Sequence, residues 1–79
     1  MKLTIFVNLK PEILDPQGEA IANSLNSLGF NSIRSIRQGK IIVVDLEESD
    51  KEVALIQGKE MCKSLLVNGV IEDFSITVE

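Results

Sequence analysis

The sequence has 79 residues, room for one domain, and a chain this short buries only about 60% of its unfolded surface, so a partner is expected to add to its stability. Twelve Asp plus Glu against eight Lys plus Arg give a net charge of −4, the wrong sign for a phosphate-backbone binder. The absence of His, Tyr and Trp removes the commonest general base, the commonest neutral metal ligand and two aromatic platforms for bases, which argues against independent catalysis.

The first run, "KLTIFVNL", places Leu3, Ile5, Val7 and Leu9 on one face and Thr4, Phe6 and Asn8 on the other, the alternation of a strand. A helix over residues 16–28 follows. Asp15 can accept hydrogen bonds from its first turn, Pro16 suits its first position, and Ile21, Leu25 and Leu28 recur at helical spacing. Gly29 can take the left-handed conformation that ends it. The stretch "SIRSIRQGKIIVVDLE" then holds two β-rich runs with Gly39 between them, most simply a hairpin. Ile33 and Ile36 fail to alternate, which implies an irregular first arm.

Ser49 and Glu52 stand in the S-x-x-E relation of a capping box, marking a second helix over residues 50–67 with the stripe Ala54, Gly58, Met61, Cys62 and Leu65; Asn68 and Gly69 supply its stop. The last run, "VIEDFSITVE", alternates with Phe74, Ile76 and Val78 inward. The order β-α-β-β-α-β predicts an α+β, ferredoxin-like single domain over residues 1–79: a four-stranded antiparallel sheet with both helices on one face. No apolar run approaches the roughly 20 residues that cross a bilayer, no basic stretch leads into an apolar run, and the lone Cys62 cannot form an internal disulfide, so a soluble cytoplasmic protein without membrane or nucleic-acid partners is expected.

One face of that sheet is unexplained. "IIVV", residues 41–44, is apolar on both sides of its strand, so Phe6, Ile41 and Val43 would cluster on the face without helices. Patches of this kind mark association surfaces, and the simplest outcome is a homodimer or higher oligomer through this face or through the hairpin; the alternative is a few scattered surface apolars.

The remaining candidates each carry more than one reading. "LDPQG" reads as a helix start capped by Asp15. Yet Gly18 costs about 1 kcal/mol relative to Ala inside a helix, so a close approach by another backbone, with Gln17 offering donors and an acceptor, is a second reading. A phosphate loop is the weakest, since no glycine-rich nest or following Lys-Ser exists and Asp15 would repel an anion. Arg34, Arg37 and Lys40 are solvated strand charges, a docking patch for an acidic surface, or an anion site. Cys62 lies on an apolar stripe as a small hydrophobe. Asp45, Glu47, Glu48, Asp50 and Glu52 lack the spacing of a calcium loop and read as a solvated acidic corner.

In order and spacing, "LDPQGEAI" after a first strand, "LGF" closing the helix, "RQGK", and "KEMCKSLLVNGVIEDF" before the last strand resemble the small S subunits (PurS) of phosphoribosylformylglycinamidine synthase, over almost the whole chain. One departure is Gly69, where the family carries proline after the asparagine that closes the second helix; both residues stop a helix. The resemblance implies a subunit of the ATP- and glutamine-dependent ligase that converts formylglycinamide ribonucleotide to formylglycinamidine ribonucleotide in purine biosynthesis. It implies no catalytic, cofactor or metal residue in this chain, with ATP and Mg on the large synthetase partner and glutamine hydrolysis on a glutaminase partner. The chain would dimerise, bridge the two and support ammonia transfer. Asp15, Pro16, Gln17, Gly18, Arg37 and Lys40 become partner-binding expectations, and Phe6, Ile41 and Val43 the oligomer interface. The competing function is a regulatory domain of ferredoxin-like fold that binds a small ligand. Such domains usually carry a glycine-bearing loop after the first strand, and "KPEILDP" has none.

Overall fold

Three strands form an antiparallel sheet in the order β2-β1-β3 in the computed structural model, which describes residues Met1–Glu79. The elements run β1 (Lys2–Leu9), α1 (Pro16–Ser27), β2 (Gly39–Asp45), α2 (Lys51–Met61) and β3 (Glu72–Val78). Strand β1 sits in the middle. Its register sets Leu3 opposite Val44 and Val78, Ile5 opposite Ile42 and Ile76, and Val7 opposite Lys40 and Phe74. Leu3, Ile5 and Val7 therefore point to one face together and are fully buried there.

Helix α2 covers that face over β1 and β3. Ala54, Gly58 and Cys62 are its buried residues, and a Cβ at Gly58 would stand 3.0 Å from the Leu3 side chain and 3.2 Å from that of Ile76, so the small residues let the helix approach closely. After Met61 the chain makes a π-type turn, Cys62–Leu66, closed by the Val67 N–H donating to the Cys62 carbonyl at 3.0 Å. The wider turn changes which residues face inward: Cys62 stays buried, whereas Leu65, expected on the inward stripe, is exposed. Burial pushes the Cys62 thiol above its ordinary pKa.

The helix starts are local features. Asp15 caps α1 with Pro16 at the first position, and Gly29 follows the helix with φ of 102°. For α2 the cap is Asp50 and not Ser49: the Asp50 carboxylate accepts the Glu52 N–H at 2.9 Å and the Val53 N–H at 3.3 Å, while Glu48 accepts the Asp50 N–H. A carboxylate placed one residue later satisfies the same donors and adds a favourable charge at the helix start.

The α+β, ferredoxin-like order holds, and two features depart from the expected arrangement. The first arm of the hairpin is not a strand; residues 31–38 run beyond the sheet unpaired, and β2 is left as an edge. Helix α1 leaves the sheet instead of lying on it, since tight packing joins α2 to β1 and β3 and nothing comparable joins α1 to the strands. The Cα radius of gyration is 16.1 Å and the extents are 49 × 25 × 14 Å. A compact domain of this length would have a radius near about 12 Å. The reason for the departure lies in the segment that joins α1 to β2.

Candidate functional site

Two sequence motifs, "LDPQG" and "RQGK", are folded into one bonded unit at the end of the sheet. The Asp15 carboxylate, buried at 8% exposure, accepts the Gly18 N–H at 2.8 Å through Oδ1 and the Gln38 N–H at 2.7 Å through Oδ2. Arg37 donates from Nη1 to the Ile13 carbonyl at 2.7 Å and from Nη2 to the Lys10 carbonyl at 2.9 Å. Gln38 Nε2 donates to Gln17 Oε1 at 2.7 Å. The N–H groups of Gln38 and Gly18 hold the Asp15 carboxyl below its ordinary value of 3.8, with the nearby Arg37 guanidinium adding to the effect against an opposing contribution from burial.

Gly18 fits this unit because a Cβ there would collide with the Ile36 carbonyl. The close backbone approach expected at Gly18 is thus made by the chain's own Ile36. Gly39 is also tied down: a Cβ would collide with the Asn8 side chain and lie 2.7 Å from the Val7 carbonyl. Together these contacts carry residues 36–38 towards α1 and away from the edge of β2, so no hairpin closes.

Around the unit is an open cleft of about 220 Å³ lined by Val7, Leu9, Asp15, Gln17, Gln38, Gly39, Lys40 and Glu72. Lys40 Nζ lies 3.8 Å from Glu72 Oε2 at its rim, and Lys10 Nζ 3.3 Å from Asp73 Oδ1 nearby. Exposed pairs of this kind hold a rim together weakly. Of the six residues expected to meet a partner, Pro16, Gln17, Arg37 and Lys40 are exposed, whereas Asp15 and Gly18 are buried inside the unit. Sequence reasoning did not find Gln38, Lys10 and Ile13 as members. No local signal marks them, since the bonds that join them link residues 21 to 27 positions apart.

The other candidate surface is the open face of the sheet. Register places Phe6 opposite Ile41 and Thr4 opposite Val43, so Phe6, Ile41 and Val43 do lie together, with Ile41 at 61% and Val43 at 56% exposure. The acids of residues 45–52 serve as caps and surface charges, and no group of three or more Asp, Glu or Cys converges in a way that could hold a metal ion. No helix is long and apolar enough to cross a membrane.

A three-stranded α+β domain with an apolar open face, an uncovered edge strand and a protruding helix defines a class of small domains that present surface to other chains. Comparison with known proteins agrees on one family: residues 2–79 match PurS, phosphoribosylformylglycinamidine (FGAM) synthase, and the chain belongs to that family. It is 41% identical over 78 residues to the PurS subunit of Bacillus subtilis, covering 99% of this chain and 92% of the relative. A crystal structure of Methanocaldococcus jannaschii PurS superposes with a TM-score of 0.90 at 40% identity, covering 99% of this chain and 94% of that one. A chain from the structure of PurLQS of Thermotoga maritima superposes with a TM-score of 0.87 at 33% identity, covering 96% and 93%.

Proposed function

We propose that this chain is the small subunit of phosphoribosylformylglycinamidine synthase and acts in purine biosynthesis by assembly, without chemistry of its own. The observation that carries the reading is the family match over residues 2–79 together with likeness to a chain of a PurLQS assembly. The partners are a synthetase subunit, which would hold ATP and Mg, and a glutaminase subunit that supplies ammonia; the compartment is the cytoplasm. The exposed Pro16, Gln17, Arg37 and Lys40 meet a partner, and the buried Asp15 and Gly18 fix the backbone that presents them. The chain also associates with itself, as a homodimer or higher, through the Phe6, Ile41 and Val43 face or through the region around residues 31–45. Eight buried residues out of 79 support that part of the reading, because so small a core needs added apolar burial.

The test is glutamine-dependent amidation of formylglycinamide ribonucleotide by the synthetase and glutaminase chains of the same source, with and without this chain, alongside the mass of the assembly. Activity that requires the chain, together with a larger assembly and no turnover by the chain alone, is the expected result. Full activity without it, and no co-assembly, overturns the reading and directs attention to metabolites bound in the cleft beside Lys40 and Glu72.

A further inference from the structure

The connection from the π-type turn to β3 holds the pair Asn68-Gly69, and Asn68, Gly69 and Val70 are all exposed. The Gly69 N–H makes no hydrogen bond within the chain, and a Cβ at Gly69 would meet no atom within 4 Å, so nothing shields that backbone nitrogen on the side a side chain would occupy. The Val70 N–H donates to Asn68 Oδ1 at 3.1 Å, which folds the carboxamide back along the following backbone and polarises its carbonyl. Three consecutive residues thus supply a carboxamide, an unshielded amide nitrogen and a donor at the oxygen where negative charge develops when the carboxamide is attacked.

The other asparagines lack this combination. Asn8 lies in β1 before the bulky Leu9. Asn23 and Asn26 lie in α1, where the N–H of the next residue is tied into the helix. Asn31 is outside the elements, yet it precedes Ser32, whose Cβ stands beside the nitrogen that would have to attack.

We propose that Asn68 is a self-modification site, converted to aspartate and isoaspartate through a cyclic imide with water as the only co-reactant. The Gly69 nitrogen, once its proton has passed to hydroxide or water, forms a bond to Asn68 Cγ. The Val70 N–H holds the oxyanion of the tetrahedral intermediate, and the bond from Cγ to the side-chain nitrogen breaks as that nitrogen takes a proton and leaves as ammonia. Water then opens the imide. Cleavage at Cγ leaves aspartate, whereas cleavage at the main-chain carbonyl carbon leaves isoaspartate, with one water consumed and one ammonia released by each imide carried to either product. The change reaches the cleft. The Asn68 N–H donates to Glu72 Oε1 at 2.8 Å, and Glu72 Oε2 lies 3.8 Å from Lys40 Nζ. The Asn68 carbonyl accepts the Ile71 N–H at 3.1 Å and the Glu72 N–H at 2.8 Å. Aspartate places a negative charge on the residue that holds Glu72. Isoaspartate takes that carbonyl carbon out of the main chain as a free carboxylate and lengthens the path by one methylene, which displaces the entry to β3 and Glu72 with it.

The test ages the purified chain at neutral pH and physiological temperature, then measures peptide masses and isoaspartate at each asparagine. The expected result is a gain of one mass unit at Asn68 ahead of Asn23, Asn26 and Asn31, with isoaspartate among the products. An unchanged Asn68, or one modified no faster than Asn31, overturns the site. Gly69→Pro removes the attacking N–H and is expected to abolish the gain at Asn68; Gly69→Ala keeps the N–H, crowds it with a Cβ and is expected to slow the gain. Modification of either variant at the wild-type rate overturns the cyclic route. Ion exchange separates the aged forms by their added charge. The amides of Ile71 and Glu72 are expected to exchange hydrogen faster in the isoaspartyl fraction than in the unmodified chain, and equal protection overturns the link to the cleft.

Discussion

Asp15 and Gln38 are 23 positions apart, and one hydrogen bond of 2.7 Å from the Gln38 N–H to the Asp15 carboxylate joins the start of α1 to the entry of β2. A second oxygen of the same carboxylate caps the helix through Gly18. One side chain thereby sets both where the helix begins and where residues 31–38 are directed.

The carboxyl of Asp15 titrates below its ordinary value in the folded chain, so the folded state holds fewer protons there than the unfolded state at acid pH. Its stabilising effect is complete above about pH 4 and is lost as pH falls through the folded value. Asp15→Asn keeps an acceptor for the Gly18 N–H but can turn its NH2 towards the Gln38 N–H. The variant is expected to melt lower than wild type at pH 7, with the gap narrowing as the pH is lowered below about 4 in thermal melts across pH. A constant gap would show that the charge is not what matters.

Gly18 and Gly69 separate two reasons for a glycine. Alanine at Gly18 would collide with the Ile36 carbonyl, and the overpacking is expected to destabilise by about 1–3 kcal/mol despite the better helix propensity of Ala. At Gly69 the space a Cβ would enter is open, with no atom within 4 Å, and φ is not positive, so Gly69→Ala is expected to stabilise by about 0.4–1 kcal/mol through the unfolded chain. Paired denaturant titrations check both signs.

Arg37→Lys retains the charge and loses the planar fork that reaches the Lys10 and Ile13 carbonyls together. The expected outcome is a folded chain whose residues 10–15 exchange amide hydrogens faster, read by hydrogen exchange, with α2 and the central strand unchanged. Equal protection of residues 10–15 in the two proteins would mean that the fork does not order that loop.

Phe6→Asp puts a charge in the middle of the open sheet face, opposite Ile41. If the chain self-associates through this face, the wild type is expected to show masses above a single copy by light scattering and the variant a smaller assembly at the same concentration. A variant that assembles as far as the wild type would remove this face from the list of interfaces.

What could be read in the sequence was local. The cap at Asp15, the left-handed Gly29, the alternation in β1 and β3 and the clustering of Phe6 with Ile41 and Val43 depend on neighbours in sequence or on the period of a strand. The missing hairpin was not legible, because the bond that prevents it links Asp15 to Gln38, and no local pattern around "RQGK" reports an acceptor 23 residues away. Leu65 leaves its expected face for a related reason: the π-type turn at Cys62–Leu66 inserts an extra residue per turn, and helical spacing counted from Ala54 no longer gives its direction. The partner-facing reading of "LDPQG" was half visible. Gly18 does admit another backbone, and that backbone is Ile36 of the same chain.

The shallow core has a consequence for how much of this chain a cell must keep. Leu3, Ile5, Val7, Ala54 and Cys62 are the only hydrophobic side chains fully enclosed by the protomer alone. Stability borrowed from a second copy obeys mass action, so the unfolding midpoint should climb with protein concentration in melts taken across a dilution series. For such a subunit abundance and folding are coupled: the smaller the supply, the larger the share of chains that is unfolded and open to proteolysis.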